Sequence, residues 1–143
     1  MQVADLIHGR REVYSIPDEM TVHEAARYLR ERQVRSVGVL NASGKLAGVV
    51  SQSDISNKVA AENKCPAWMR VAEIMSSDLL IVQPEVPLDE CLRLMEKHGV
   101  FHLVVMEAGR LLGMISVADL LQVIASDHKA RADMFEAFAF PQR

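Results

Sequence analysis

Two stretches of the chain share one pattern, and this pattern decides the fold. The stretch LAGVVSQSDI (residues 46–55) is matched 65 residues later by LLGMISVADL (residues 111–120). The leucine, the glycine, the serine and the aspartate stand at the same places in both stretches. Further upstream, Val22–Ala25 matches Leu88–Cys91 at an offset of 66. A repeat of this kind indicates two copies of one structural unit of roughly 60 residues.

Each copy has the pattern of a β-α-β-β-α unit. A short apolar strand is followed by an amphipathic helix, a hairpin of two apolar strands and a second helix. Thr21 and Glu24 have the spacing of a capping box, and Gly99 is a typical residue to end the other long helix. Because one copy alone cannot bury a three-stranded sheet well, we expect the two copies to pack with pseudo-twofold symmetry. The predicted class is α+β, with repeat one at 1–62, a linker at 63–70, repeat two at 71–126 and a helical tail at 127–143.

The composition is that of an ordinary globular protein. The 143 residues are 50% hydrophobic and 24% charged, which argues against disorder. With 16 Lys and Arg against 19 Asp and Glu, the formal net charge is −3. A mildly acidic chain lacks the basic footprint of a general nucleic-acid binder, so we expect no nucleic-acid partner.

The cysteines and apolar runs favour a cytoplasmic protein. Cys65 and Cys91 have neither disulfide-framework nor zinc spacing. The first residues contain no apolar core of a signal peptide, and no apolar run approaches the ~20 residues of a membrane span. His98 and His102 are separated by Gly99 and have no companions at ligand spacing, so no metal site is expected. No catalytic motif is present, which predicts that the chain is not an enzyme.

The most informative feature is Ser-x-x-Asp at each junction between a strand and a helix. Ser51 and Ser116 are expected to end the strands, and Asp54 and Asp119 to lie in the first helical turn. A helix N-terminus attracts phosphate, and a carboxylate can accept from both hydroxyls of a ribose. Ser-x-x-Asp at a helix start is equally typical of helix capping. The residues alone leave both interpretations open.

The tandem unit, its Gly-x-x-Ser-x-x-Asp endings and the opening Pro-x-x-x-Thr-x-x-Glu-Ala (residues 17–25) resemble a pair of CBS domains over about residues 3–126. The resemblance implies related clefts between the repeats that bind adenine nucleotides such as AMP, ADP and ATP, or related adenosyl compounds. By this resemblance, the aspartates would hold the ribose, with the serines beside them. Basic residues at the second strand would contact phosphate. Backbone near the first strand would line the pocket for the adenine base. The implied binding residues are Asp54, Ser51, Arg35, Ile16, Asp119, Ser116, His102 and Val82.

Some residues depart from that family pattern. Gly38 and Val104 stand where many relatives have a strand proline, and Ser53 and Phe101 stand where some have arginine. Recognition of phosphate is therefore less well supported than recognition of an adenosyl group.

The resemblance favours a regulatory module that needs no cofactor and binds an adenosine-containing ligand. With no effector domain in the sequence, its output is expected to go to an unknown protein effector.

The tail carries an apolar stripe, which predicts a homodimer contact. The residues of the stripe are Ala130, Met134, Phe135 and Phe138. The alternative is a ligand-free protein-interaction or dimerisation module in which the serines and aspartates are only caps.

Overall fold

The computed structural model describes residues 1–8 and 13–126. The chain divides into two compact units, each described here by itself. Of the described residues, the first unit contains 13–80 and 108–111, and the second contains 1–8, 81–107 and 112–126. The tail expected at 127–143, with its apolar stripe, lies outside the described residues.

The order of elements follows the predicted β-α-β-β-α unit twice, after a short first helix. The described helices are α1 (Val3–Ile7), α2 (Val22–Arg32), α3 (Gln52–Ile55), α4 (Leu88–His98) and α5 (Val117–Ser126). The described strands are β1 (Ser15–Pro17), β2 (Ser36–Leu40), β3 (Leu46–Ser51), β4 (Ile81–Val82), β5 (His102–Glu107) and β6 (Arg110–Ser116). A π-helical turn, Ser56–Ala60, continues α3, and 3₁₀ turns lie at Pro66–Trp68 and Val71–Glu73. The α+β class and the two repeats are confirmed.

The strands form two three-stranded sheets, in the orders β1-β2-β3 and β4-β5-β6. In each sheet the first strand pairs in parallel with the second, which requires a crossover through the long helix between them. Strand β3 runs antiparallel to β2. The middle of β2 is buried, in agreement with a sheet that is covered on both faces.

The strand register shows where the two repeats differ in length. Ile16 pairs with Val39 in one sheet, and Val82 pairs with Val105 in the other, so the offset is 66 in these strands. From Leu46 onward the sequence match has an offset of 65. The one-residue difference therefore falls in the hairpin turn.

The two hairpin turns have different conformations. In the first, Asn41 Oδ1 accepts from the backbone N–H groups of Ser43 at 2.9 Å and Lys45 at 3.0 Å. In the second, Ala108 and Gly109 have φ of 51° and 77°, the left-handed pair typical of a type I′ turn. The one-residue difference is thus absorbed by a change of turn type.

The predicted apolar face of α2 is buried in the first unit. Val22, Ala25 and Leu29 are at most 1% exposed and belong to one core cluster. The other members of that cluster lie on the strands and on later segments; they are Ile16, Val37, Val39, Val50, Val59, Val71 and Ile74. Thr21 Oγ1 accepts from the N–H of Glu24 at 3.1 Å, so the predicted cap starts the helix.

The second unit buries the corresponding face of α4, with Leu88, Cys91 and Met95 inside. Gly99 ends the helix at φ 64°, as predicted, and its N–H donates to the carbonyl of Met95. Helix α1 belongs to this unit, because the N–H of Val3 donates to the carbonyl of Val86 at 2.9 Å. The N–H of Leu88 in turn donates to the carbonyl of Met1 at 3.0 Å.

The end of the linker and the first residues of repeat two pack in the unit that contains most of repeat one. The N–H of Val22 donates to the carbonyl of Met69 at 2.8 Å. Val49 and Ser76 exchange both backbone hydrogen bonds, at 2.9 and 2.8 Å. Since residues 1–8 lie in the unit of repeat two, the compact units do not coincide with the sequence repeats.

Gly48 allows this segment to approach β3 closely. A Cβ atom at Gly48 would lie 2.8 Å from the Sδ of Met75 and 2.9 Å from the carbonyl oxygen of Ser76. The methionine side chain can move, but the carbonyl belongs to the backbone that pairs with β3. Gly48 is therefore required for the packing of this segment against β3.

We expect Gly48→Ala to destabilise the protein, because the new methyl group overlaps backbone. Overpacking of this kind costs about 1–3 kcal/mol, or a fall in Tm of roughly 3–10 °C. A thermal melt followed by circular dichroism measures the change. The double variant Gly48→Ala with Met75→Ala should recover only part of the loss, since the Ser76 carbonyl remains. An unchanged Tm for Gly48→Ala would contradict this account.

Candidate functional site

The first Ser-x-x-Asp junction lies where β3 runs into α3. Ser51 precedes the helix, and its Oγ accepts from the N–H of Asp54 at 3.2 Å. Asp54 Oδ2 accepts from the N–H of Ser51 at 2.9 Å and from its hydroxyl at 3.1 Å. This reciprocal arrangement is a capping box, formed because both residues lie within one turn of each other.

The second carboxylate oxygen of Asp54 is held by two more side chains. Lys58 Nζ lies 3.0 Å from Oδ1, and the Ser76 hydroxyl donates to the same oxygen at 3.4 Å. Lys58 Nζ also donates to the carbonyl of Ile74 at 2.8 Å. Asp54 is only 9% exposed and is the one buried charged residue among the described part of the chain. Its charge is thus compensated inside the first unit.

The second junction, where β6 runs into α5, has the same local geometry. Asp119 Oδ2 accepts from the N–H of Ser116 at 2.8 Å, and Ser116 Oγ accepts from the N–H of Asp119 at 3.2 Å. Both residues are partly exposed. Val123 occupies the place that Lys58 has in repeat one, so the side chains around the two aspartates differ.

Each junction is completed by a residue that precedes the middle strand. The N–H of Gln52 donates to the carbonyl of Arg35 at 2.9 Å, and the N–H of Val117 donates to the carbonyl of Phe101 at 3.0 Å. Arg35 and Phe101 are therefore equivalent, and both side chains are exposed, Phe101 by 71%. Repeat one presents a cation at this place and repeat two an aromatic ring.

His102, the basic residue expected at the start of this strand in repeat two, follows Phe101 directly. It is the half-buried first residue of β5 and corresponds to Ser36 at the start of β2.

The first-strand residues lie farther from the junctions. Ile16 and Val82 are 1% and 4% exposed, so their side chains are part of the interior. Ile16 pairs with Val39, whereas Ser51 pairs with Ser36 at the other end of β2. Three residues of strand separate these points by roughly 10 Å. The structure brings each serine to its aspartate, whereas Ile16 and Val82 lie in the interior, away from the junctions.

Comparison with known proteins assigns the family. The CBS domain pattern matches residues 3–61 and 71–126, which together are most of the chain. The chain belongs to the CBS domain family. The two matched segments are its two CBS repeats, each ending in one of the Ser-x-x-Asp junctions described above.

Relatives and solved structures agree with this assignment. A structure of a protein with CBS domains from Burkholderia ambifaria has a TM-score of 0.83 and 29% identity, and the match covers 90% of this chain and 96% of that one. The CBS domain pair of protein MJ0100, solved with 5′-methylthioadenosine and S-adenosyl-L-methionine, has a TM-score of 0.78 at 21% identity, over 88% and 97% of the two chains. An uncharacterized Methanopyrus kandleri protein, MK0525, is 30% identical over 116 residues, which are 80% of this chain. The chain spans 59% of the length of that relative.

Two residues of the repeat-one site were missed by the sequence analysis. Lys58 follows Asp54 by four residues, and an acid followed by a base at this spacing is a recognisable helix ion pair, so this signal was available. Ser76 is 22 residues from Asp54 and reaches it only because its segment pairs with β3. No local pattern in a CBS sequence of this kind indicates that contact.

Metal binding and membrane insertion find no support in residues 1–8 and 13–126. Within these ranges no three His, Cys, Asp or Glu side chains lie close enough together to hold a metal ion. The described helices are also too short or too polar to cross a membrane.

The two thiols of this CBS pair lie in opposite environments. Cys65 is exposed in the segment between the repeats, and Cys91 is completely buried on α4. Burial raises the pKa of the Cys91 thiol, and the nearby carboxylates of Glu90 and Asp89 raise it further. Since the thiolate is the reactive form, Cys91 is a packing residue and not a nucleophile.

We expect Ellman's reagent at pH 8 to modify Cys65 quickly and Cys91 only when the protein opens. The raised pKa lowers the thiolate fraction of Cys91, and burial excludes the reagent. In a Cys65→Ser variant only Cys91 can react. At high concentrations of the reagent, its rate of modification should no longer depend on that concentration, because opening of the protein is then the slow step. Rapid labelling of Cys65→Ser in proportion to reagent concentration would show that Cys91 is accessible.

Proposed function

We propose that this CBS pair is a regulatory module, without enzymatic activity of its own, that binds an adenosine-containing ligand at a Ser-x-x-Asp junction and passes the signal to a protein effector. One observation carries the proposal. In a chain of this family, a serine and an aspartate lie within hydrogen-bond distance of each other at the start of α5, beside the exposed Phe101. The cytoplasm, where adenosine compounds are abundant, is the compartment that suits such a sensor.

The chemistry of the junction fits an adenosyl group. A carboxylate has about four lone-pair sites, so a carboxylate that accepts from a backbone N–H, as Asp119 does, is also the kind of group that accepts from ribose hydroxyls. The N-terminus of α5 favours a negative group or the electron-rich edge of a ligand. The solved MJ0100 pair supports an adenosyl ligand in this fold, although that protein shares only the fold with this chain.

The ligand class follows from the charges near the junctions. Arg35 supplies a cation at repeat one, but the equivalent Phe101 in repeat two supplies none. We therefore favour adenosyl compounds in general over AMP, ADP or ATP in particular. A ligand of nucleotide size at ~0.3 kcal/mol per heavy atom reaches about −7 kcal/mol, which corresponds to a Kd on the order of ten micromolar.

The test is a thermal melt with AMP, ADP, ATP, NAD, S-adenosylmethionine and 5′-methylthioadenosine, each in millimolar excess. Ligand at 100 times its Kd adds about 2.7 kcal/mol, which for a chain of this size raises Tm by roughly 5–10 °C. We expect a rise with at least one compound in the unmodified protein, and loss of that rise in Asp119→Asn. Asp89→Asn, an exposed change of the same kind in the same repeat, should keep the rise.

Flat melts with every compound would overturn the nucleotide proposal and favour the second candidate, a ligand-free protein-interaction module. The capping boxes at both junctions support that candidate, because they give each serine and aspartate a structural role without any ligand. A rise that persists in Asp119→Asn would retain ligand binding but remove Asp119 from the site.

We also propose that the protein is a homodimer held by its tail. The support is the apolar stripe at Ala130, Met134, Phe135 and Phe138, which would otherwise need to be covered by the chain itself. Light scattering should give twice the chain mass for the full protein and the chain mass after truncation behind Asp127. An oligomer that survives truncation would exclude the tail as the contact.

A further inference from the structure

We propose that the tail of one copy docks on Trp68 of a second copy, so that Trp68 is the receiving site of the homodimer. The inference rests on the dimer put forward under the proposed function, because it names the surface that the tail would cover. It starts from an exposed tryptophan of the first unit that belongs neither to the core cluster nor to the Ser-x-x-Asp junction.

Trp68 stands out of the surface of the first unit. It is 86% exposed, the highest value among the large apolar residues in the described part of the chain. Ala67 is exposed too, and Pro66 and Met69 are half-buried, so four successive apolar residues reach the surface. Tryptophan is enriched at protein interfaces and loses much binding energy there when it is truncated. Such a run of surface residues therefore indicates an interaction site.

The turn that carries Trp68 is held from both ends. The N–H of Trp68 donates to the carbonyl of Cys65 at 3.1 Å. The carbonyl of Met69 accepts from the N–H of Val22 at 2.8 Å, and the side chain of Met69 packs against the core. The indole is thus presented by a fixed backbone, and docking requires little ordering on this side of the interface.

The charges around Trp68 are opposite to those around the apolar stripe of the tail. The stretch KCPAWMR (residues 64–70) contains two basic residues and no acidic one. The stretch DMFEAF (residues 133–138) holds three of the four stripe residues, together with two acidic residues and no basic one. A tail that lays its stripe on Trp68 therefore brings opposite charges together at the rim of an apolar contact.

The tail also has the length and the side chains that this surface requires. Residues 127–143 are enough for roughly 4–5 helical turns, and three of the four phenylalanines of the chain lie there. Aromatic hot spots tend to pair with hot spots of the partner. In a twofold dimer each copy gives one tail and receives one, so the contact occurs twice.

The experiment uses Trp68 as its own probe, because it is the only tryptophan of the chain. Two full-length variants are compared: Trp68→Ser removes the receiving site, and Phe135→Ser with Phe138→Ser removes the stripe. We expect light scattering to give the chain mass for each variant alone and twice the chain mass for the unmodified protein.

The decisive step is to mix the two variants in equal amounts. The intact tail of the Trp68→Ser chain can then meet the intact Trp68 of the stripe variant, so a dimer with one of the two contacts should form as the concentration is raised. Only the stripe variant fluoresces from tryptophan. On mixing, its emission should shift to shorter wavelength and become less accessible to quenching by acrylamide, because the tail excludes water from the indole.

Ile81→Thr, which reduces another exposed apolar side chain, is the matched control and should remain dimeric. Circular dichroism establishes that each variant is folded, and Trp68→Gln replaces Trp68→Ser if the serine variant is not. A dimeric Trp68→Ser beside a monomeric stripe variant would overturn the role of Trp68 and leave the tail dimer standing. A mixture that stays monomeric would overturn docking between copies. A monomeric unmodified protein would refute the proposed dimer and this inference together, whereas the melts with adenosyl compounds test ligand binding separately.

Discussion

The backbone pairing of Val49 with Ser76 is the contact on which the rest of the first unit depends. It fixes the segment that contains Val71 and Ile74 against β3, and these two side chains complete the core under α2. The pairing is possible because Gly48 presents no side chain where Met75 and Ser76 approach. The same placement brings the Ile74 carbonyl and the Ser76 hydroxyl to Lys58 and Asp54. One close approach of backbone to backbone thus determines both the packing and the electrostatics of this site.

The local features of the chain could be predicted because they depend on neighbouring residues. The helix boundaries at Thr21 and Gly99 follow from capping chemistry, and the Ser-x-x-Asp junctions have the geometry that their spacing implies. The register of the strands could not be predicted, because β2 and β5 are apolar almost throughout and no polar alternation marks a one-residue shift. The equivalence of Arg35 and Phe101 follows instead from their carbonyls, each of which accepts from the residue after the junction serine. The contact of Ser76 with Asp54 could not be predicted either, because the two residues are 22 positions apart in the chain.

The two repeats form the same hydrogen bonds between serine and aspartate at their junctions, but the charges of the surrounding side chains differ. Each serine hydroxyl accepts from the backbone N–H of its aspartate, and each aspartate carboxylate accepts from the backbone N–H of its serine. Around this shared frame, repeat one has Arg35 and Lys58, and repeat two has Phe101 and Val123. A motif that is identical in the two halves therefore stands in two different electrostatic settings. Duplication of a structural unit does not by itself reproduce the surroundings of its carboxylate, since the neighbouring side chains decide which donors it meets.

The placement of residues 1–8 in the unit of repeat two has a consequence for the order of folding. These residues are made before residues 84–88, to which the carbonyls and amides that bind them belong. Residues 13–80 include nearly all the partners of the first unit and can assemble earlier. The opening segment must remain unpaired while that happens, and such long-range closure is slow compared with the formation of local contacts. During synthesis, residues 1–8 therefore lack these hydrogen-bond partners until residues 84–88 have been made.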